Sequence, residues 1–243
     1  MLKPFKADLH IHTCLSPCTE LDMSPKRILT SAQEKKVDIL AICDHNSTEN
    51  SKAVIHAAKG TEIKIIPGME VTSQEEVHIL ALFDDIEKAL KLQDYVYQHL
   101  PGKNDEDVFG MQVIVNENEE VLGFCDKLLI GATTIPLENI IRTIHSFDGI
   151  SIASHIDRQA FSIISQLGFI PENLELDAVE ISTHLTIEEA EKTFQTRYPF
   201  TRSSDAHYPE DIGKGFTTFL LEESTMGEIK KALKSEDGRK IIH

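Results

Sequence analysis

The 243-residue chain has no tryptophan, and none of its apolar runs approaches the ~18 residues that a membrane-spanning helix needs. An integral helical membrane protein is therefore excluded. Cysteine is scarce: Cys14, Cys18, Cys43 and Cys125 are the only four, and only the first two lie close together. So few thiols make no disulfide scaffold at this length. The opening residues, MLKPFK, are too short and too polar for a secretory signal. The expected compartment is the cytoplasm, with the thiols reduced. Positive charge is also short, with 24 Lys and Arg against 40 Asp and Glu, a formal net charge of −16. No basic run occurs, and no interleaving of basic with aromatic residues. Such a surface repels phosphate backbones, so no long nucleic acid is expected as a partner. A small anionic substrate fits if bound cations reverse the local field. Nothing sets an oligomeric state.

What the chain does have is histidine and carboxylate in patterned places. The stretch KADLHIHTCLSPC carries Asp8, His10, His12, Cys14 and Cys18. Within it, ADLHIH alternates apolar with polar residues, a strand whose polar face holds the candidate ligands. Ser24 and Pro25 open a helix with Ile28, Leu29 and Ala32 on its apolar stripe. DILAICDH is a buried strand ending in Asp44 and His45, and a helix closed by Gly60 follows. IKIIPGMEVTS is a strand carrying Glu70, and VHILALF one carrying His78. Residues 86–99 are helical. Residues 100–135 read as an insertion with a hairpin around 116–119. The alternation resumes with a helix at 137–147, a strand running to His155, a helix at 158–167 and the strand DAVEIST. A helix at 186–195 follows, then FTRSSDAH with Asp205 and His207, the strand GFTTFLL and a helix at 224–234. Regular alternation argues for one α/β domain over 1–243, built on a parallel sheet or barrel.

In such a barrel the strand ends converge on one face, so ligands far apart in sequence meet there. A single histidine is more often a packing or surface residue, and His56, His99, His145 and His243 are read as structural. An HxH pair on a strand is stronger, because positions i and i+2 point to one side. Massed imidazoles and carboxylates are the ligands of Zn²⁺, Mn²⁺ or Fe²⁺.

DLHIHT, CDHNST, PGMEV and SDAH, in this order and spacing, resemble the motifs of the PHP family, the polymerase and histidinol phosphatase domains. The resemblance implies a distorted (β/α)7 TIM-like barrel with two or three divalent ions (Zn, Fe or Mn) at the C-terminal face of its strands. It implies His10, His12, Glu70 and Asp205 for one site, with Glu70 bridging. His78 and His155 would complete a second site, and His45 and His207 belong to a third. One position departs from the pattern. Where the family carries Asp or His, this chain has Pro17 and Cys18. Either Cys18 ligates as a thiolate, which favours Zn²⁺ or Fe²⁺, or the third site is weakened. Cys14 has no matching role and reads as core. Asp8 and Asp44 are expected to orient neighbouring histidines.

The chemistry implied is a phosphoesterase that cleaves a small phosphomonoester or nucleotide by metal-bound hydroxide. Arg158, just past a strand end, is the candidate phosphate clamp, and His184 the candidate acid for the leaving oxygen. Glu180 is a candidate support for the ligands. Arg202 lies on its strand with either face open to it. Two alternatives stand beside this: a metal-dependent hydrolase of a non-phosphate bond, resembling the amidohydrolases, and, ranked last for the length and the charge of −16, a non-catalytic metal-binding module or an exonuclease-like domain of a larger machine.

Overall fold

The computed structural model describes residues 1–242, so His243 lies outside the described residues. The chain runs β1 (Lys3–Ile11), α1 (Pro25–Glu34), β2 (Ile39–Ile42), α2 (Ser51–Ala57), β3 (Lys64–Thr72), β4 (His78–Leu82) and α3 (Ile86–His99). Next come α4 (Glu106–Phe109), β5 (Val113–Val115), β6 (Val121–Phe124), α5 (Leu137–Ser146), β7 (Ile150–Ala153) and α6 (Ile163–Leu167). It ends with β8 (Ala178–Ile181), α7 (Ile187–Thr193), β9 (Phe200–Arg202), β10 (Thr217–Leu221), α8 (Met226–Leu233) and β11 (Lys240–Ile242).

Nine strands form one mixed sheet in the order β11-β10-β1-β2-β3-β4-β7-β8-β9, while β5 and β6 pair separately. The sheet curls so that the end of β1 meets the segment after β9, through a parallel bridge between Ile11 and Ala206. One face of the strands gathers Leu9, Ala41, Ile66, Leu80, Ile152 and Phe219 into a core that α8 also enters. The opposite face packs α3, α5 and α6 through residues such as Val71, Leu92, Ile141 and Ile163, and packs α1 and α2 through Ile28, Ile42 and Val54. Both faces of the central strands are thus covered, which is why β2, β4, β7 and β8 are buried along their whole length and mostly apolar, with His78, Ser151 and Glu180 as their polar residues. On β1 the side that faces inward changes. Phe5, Ala7 and Leu9 enter the inner core and Ile11 joins the cluster under α1 and α2, across a register irregularity between Asp8 and Ile11.

The mixed α/β fold with a curled sheet agrees with expectation, but several details differ. β4 runs antiparallel to both β3 and β7, so the sheet is not all parallel. The helix expected at 158–167 begins only at Ile163, because His155 and Phe161 take positive φ (29° and 57°) and Ser162 caps the helix afresh. The hairpin of the insertion is present, and a short helix, α4, precedes it. The edge strand β11 carries no clear sequence signal. At Gly68, on β3, a Cβ would lie 2.9 Å from the Ala81 carbonyl oxygen and 3.0 Å from Cys43 Sγ. Only glycine admits that close approach, two residues before Glu70. Among the described residues no helix is long and apolar enough to cross a membrane.

Candidate metal centre

Strand geometry brings the histidines together. His10 lies on β1 and His12 directly follows it, and both are buried. Past β2 the parallel pairing with β3 continues, through a bridge between His45 and Glu70. The bonds Glu70 N–H to Asp44 O (3.0 Å) and Asn46 N–H to Glu70 O (2.8 Å) hold it. His78 opens β4 and faces β3 at Thr72. His155 follows β7, and Asp205 and His207 follow β9.

Glu70 stands at the middle. Its Oε1 lies 2.9 Å from His78 Nδ1, 3.2 Å from His155 Nε2 and 3.4 Å from His10 Nε2. Its Oε2 lies 3.1 Å from His45 Nδ1 and 3.5 Å from His12 Nε2. Asp205 Oδ1 lies 3.3 Å from His10 Nε2 and 3.2 Å from His12 Nε2. Three groups of donor atoms fall within 4.8 Å of one another: His10, His12 and Asp205; His45, Glu70 and His78; and His12, His45 and His207. Their electrostatics balance internally. Burial pushes the Glu70 and Asp205 carboxyls up, but the histidines around them win and hold both well below the usual range. Burial opposes charge on His10 too, yet Asp205, Glu70 and Glu180 hold it well above the ordinary imidazole value. Burial, His207 and His45 hold His12 well below that value.

This set fits divalent ions. His45 Nδ1 and Asp205 Oδ1 are buried without a hydrogen-bond partner despite their close neighbours. The distances are short while the hydrogen-bond geometry is missing, as for atoms that converge on a common centre. Supporting contacts fix the rings. Glu180 Oε1 lies 3.0 Å from His10 Nδ1, and Ser16 Oγ 2.9 Å from His12 Nδ1, which turns both Nε2 atoms toward Asp205. The roles of Asp44 and Asp8 differ from expectation. Asp44 accepts from Thr13 N–H, Thr13 Oγ1 and Ser16 Oγ, so it reaches His12 only through Ser16. Asp8 touches no histidine. It accepts from the amides of Ser204 (2.9 Å) and Gly213 (2.8 Å) and so anchors the loop that carries Asp205 and His207.

The cluster floors a cleft of about 180 Å³ lined by Cys18, His45, Glu70, His78, His155, Arg158, Asp205 and His207, with Ile130, Ala160 and Phe161 as apolar walls. Arg158 Nη1 pairs with Asp205 Oδ2, and the side chain remains 39% exposed. The Phe161 ring stacks on His78 at 4.6 Å, and the Phe161 carbonyl accepts from His78 N–H. Cys18 is exposed as a residue and lines the cleft together with His45 and His207. Burial pushes that thiol up, but hydrogen bonds from the two imidazoles outweigh it and bring it down to about 7. Cys14, by contrast, is buried, with its thiol 3.9 Å from the Val113 carbonyl oxygen. His184 is exposed and does not line the cleft. Arg202 turns away from it to donate to the Thr183 carbonyl. His56, His99 and His145 sit on helices outside the cleft. Ser16 was missed by the sequence reading, and a serine in a loop gives no signal that could have found it.

The comparisons with known proteins accord with this geometry. Residues 8–167 match the family described as PHP domain, and residues 193–237 the one described as PHP-associated. A 5'-3' exoribonuclease of Haemophilus influenzae is 32% identical over 80 residues, 32% of this chain and 28% of that protein. The lesion-specific endonuclease Q of Pyrococcus furiosus superposes with a TM-score of 0.73 at 19% identity, covering 98% of this chain and 58% of that one. Endonuclease Q in complex with a 27-mer duplex bearing an abasic lesion superposes with a TM-score of 0.71 at 20% identity, with the same coverage. The chain thus spans 58% of endonuclease Q and 28% of the exoribonuclease. These likenesses correct the expectation of a small phosphorylated partner and no long nucleic acid, because this fold carries a DNA duplex in a relative. Net charge was the wrong criterion. It sums the whole surface, whereas the field a phosphate meets at the cleft is set by Arg158 and the ions that the cluster fits. Since the first match covers more than half of the chain, the protein belongs to the PHP domain family.

Proposed function

We propose that the protein is a metal-dependent hydrolase that cleaves phosphodiester bonds of a nucleic acid. One observation carries the reading: Glu70 lies within 3.5 Å of five imidazoles, next to Asp205, on the floor of a cleft edged by Arg158. His10, His12, Glu70 and Asp205 would hold one ion, His78 and His155 would share Glu70 to hold a second, and His45 and His207 would serve a third. Ions bound there supply an activated water and positive charge for the phosphoryl oxygens. The chain's own groups do the rest. Arg158 keeps one nitrogen on Asp205 and offers the remaining donors of its planar fork to a phosphate. Phe161, Ala160 and Ile130 narrow the mouth and keep bulk water off the cluster. Glu180 and Ser16 hold the β1 histidines in one tautomer. The nucleic-acid substrate is supported by the exoribonuclease and endonuclease Q likenesses. We also read the curled sheet as a distorted seven-stranded barrel closing between β9 and β1. The Ile11–Ala206 bridge supports this.

The test uses chelated protein reloaded with Zn²⁺, Fe²⁺ or Mn²⁺ and offered labelled single-stranded and duplex DNA and RNA. Hydrolysis should need the ions. Glu70→Ala should abolish it and lose at least one ion by elemental analysis. Arg158→Ala should keep its ions and lose roughly ten- to a thousandfold in kcat/KM, the scale of one charge-stabilising contact. Ion-loaded protein that leaves every oligonucleotide intact overturns the reading.

A further inference from the structure

We infer that the ring of Phe161 is a stacking platform for one nucleobase, placed so that the base lies on it while the phosphate of the same nucleotide meets Arg158. Resting on the nucleic-acid reading above, this assigns the site its preferred form of substrate, a single unstacked nucleotide that bears its base. Phe161 is 38% exposed, at the mouth of a cleft whose floor is imidazole and carboxylate. One face of its ring is covered by the imidazole of His78, with centroids 4.6 Å apart and planes only 11° from parallel. The exposed remainder lines the cleft. A ring backed on one face and open on the other offers what any base can take, a flat π-surface already held in place.

The backbone keeps the ring there under strain. Phe161 has a φ of 57°, a conformation that bulky side chains rarely adopt and that glycine or asparagine would take more easily. Its carbonyl accepts from His78 N–H (2.9 Å), Ser162 Oγ donates to the Arg158 carbonyl (2.7 Å), and Arg158 N–H donates to the His155 carbonyl (2.9 Å). These bonds bar relaxation. They also join His155, Arg158 and Phe161, each three residues from the next, into one rigid turn that carries a candidate ligand, the phosphate clamp and the platform. A strained position that the surroundings hold this firmly belongs to function more than to stability. Ile130, whose neighbouring carbonyls Asn46 fixes, adds apolar surface to the same cleft. The cleft volume, about 180 Å³, lies below the roughly 300 Å³ at which ordinary small-ligand pockets begin. It takes one nucleotide at a time, and a base still stacked in a helix does not reach the ring.

The absence of tryptophan from the chain makes a direct test possible. In Phe161→Trp the introduced indole is the only one, and a base stacked on it quenches its fluorescence. Zn²⁺-loaded protein is titrated with two cleavage-resistant phosphorothioate single strands of equal length, one of mixed sequence and one that lacks every base. The two carry the same charge and differ only in the bases. The mixed strand should quench the indole and the baseless strand should not. By fluorescence anisotropy, the wild type should bind the mixed strand roughly five- to a hundredfold more tightly, the worth of one stacked base. Phe161→Leu, which keeps an apolar cover on His78, should lose that preference, and Phe161→Tyr should retain it. An indole left unquenched, equal wild-type affinity for the two strands, or a preference that survives in Phe161→Leu overturns the platform and leaves the nucleic-acid reading standing. Wild-type protein that binds neither strand overturns that reading, and the platform with it.

Discussion

Ser16 serves three groups with one hydroxyl. It donates to Asp44 Oδ1 (2.7 Å) and accepts from His12 Nδ1–H (2.9 Å) and from the His45 amide (3.2 Å). Because the hydroxyl proton is taken by Asp44, the ring proton of His12 must sit on Nδ1, and Nε2 keeps its lone pair toward Asp205. Ser16→Ala should therefore lower divalent-ion affinity by about 10- to 100-fold, the usual effect of losing such a partner, in competition with a chelator. Ser16→Thr should restore part of it. A change below twofold in Ser16→Ala would show that the ring is fixed by other means. At this scale the ligands were legible and their supports were not. His10 and His12 stand out because two histidines on one side of a strand have few uses. Ser16 does not, since a loop serine looks the same whether it faces water or a ring. Asp8 misled for a related reason: its place in the DLHIH run suggests a histidine partner, while the register irregularity after it turns it to the amides of Ser204 and Gly213.

The segment 100–135 is held by two asparagines, Asn46 directly after the Asp44–His45 pair and Asn50 four residues further on. Asn46 Nδ2 donates to the Leu129 and Gly131 carbonyls, both at 2.8 Å, on either side of the cleft residue Ile130. Asn50, fully buried, donates to the Val113 carbonyl and accepts from Val115 N–H, acting as a partner for β5. The segment is thus a fixed wall of the cleft. Asn50→Ala would strand those two backbone groups, at roughly 1–3 kcal/mol for each buried group left unpaired. Hydrogen exchange should then quicken by about tenfold or more across β5 and β6, with β1 to β4 unchanged. Equal exchange in both proteins would show that the hairpin carries itself. The hairpin was visible in sequence from its apolar runs around a polar turn. The direction of β4 was not, because an apolar strand covered on both faces reads alike in either direction. The start of α6 was missed because the positive φ angles at His155 and Phe161 depend on tertiary contacts, among them the stacking of Phe161 on His78.

For the whole molecule, a charge of −16 sets how a nucleic acid can be bound. Under the proposed function, most of the surface would repel the substrate and attraction would be confined to the cleft, where Arg158 and bound ions would meet few phosphates. Affinity for a cleavage-resistant phosphorothioate single strand should depend weakly on salt. With on the order of one to three phosphates neutralised, the log–log slope would be about −0.7 to −2. Fluorescence anisotropy at rising salt measures it, and a slope near −6 would reveal an extended basic track instead. The bridge between Ile11 and Ala206 has a consequence for how this molecule is assembled. It joins segments nearly the whole chain apart, with His10 and His12 on one side and Asp205 and His207 on the other. Closing so long a loop costs entropy before any contact returns it, so the seam forms late in folding, and a nascent chain offers ions little beyond the HxH pair. Ions that bind only the closed form pull that last step forward by mass action. Beyond any chemistry it performs, the cluster then works as a fastener, and chelation should unpick the molecule from this seam first.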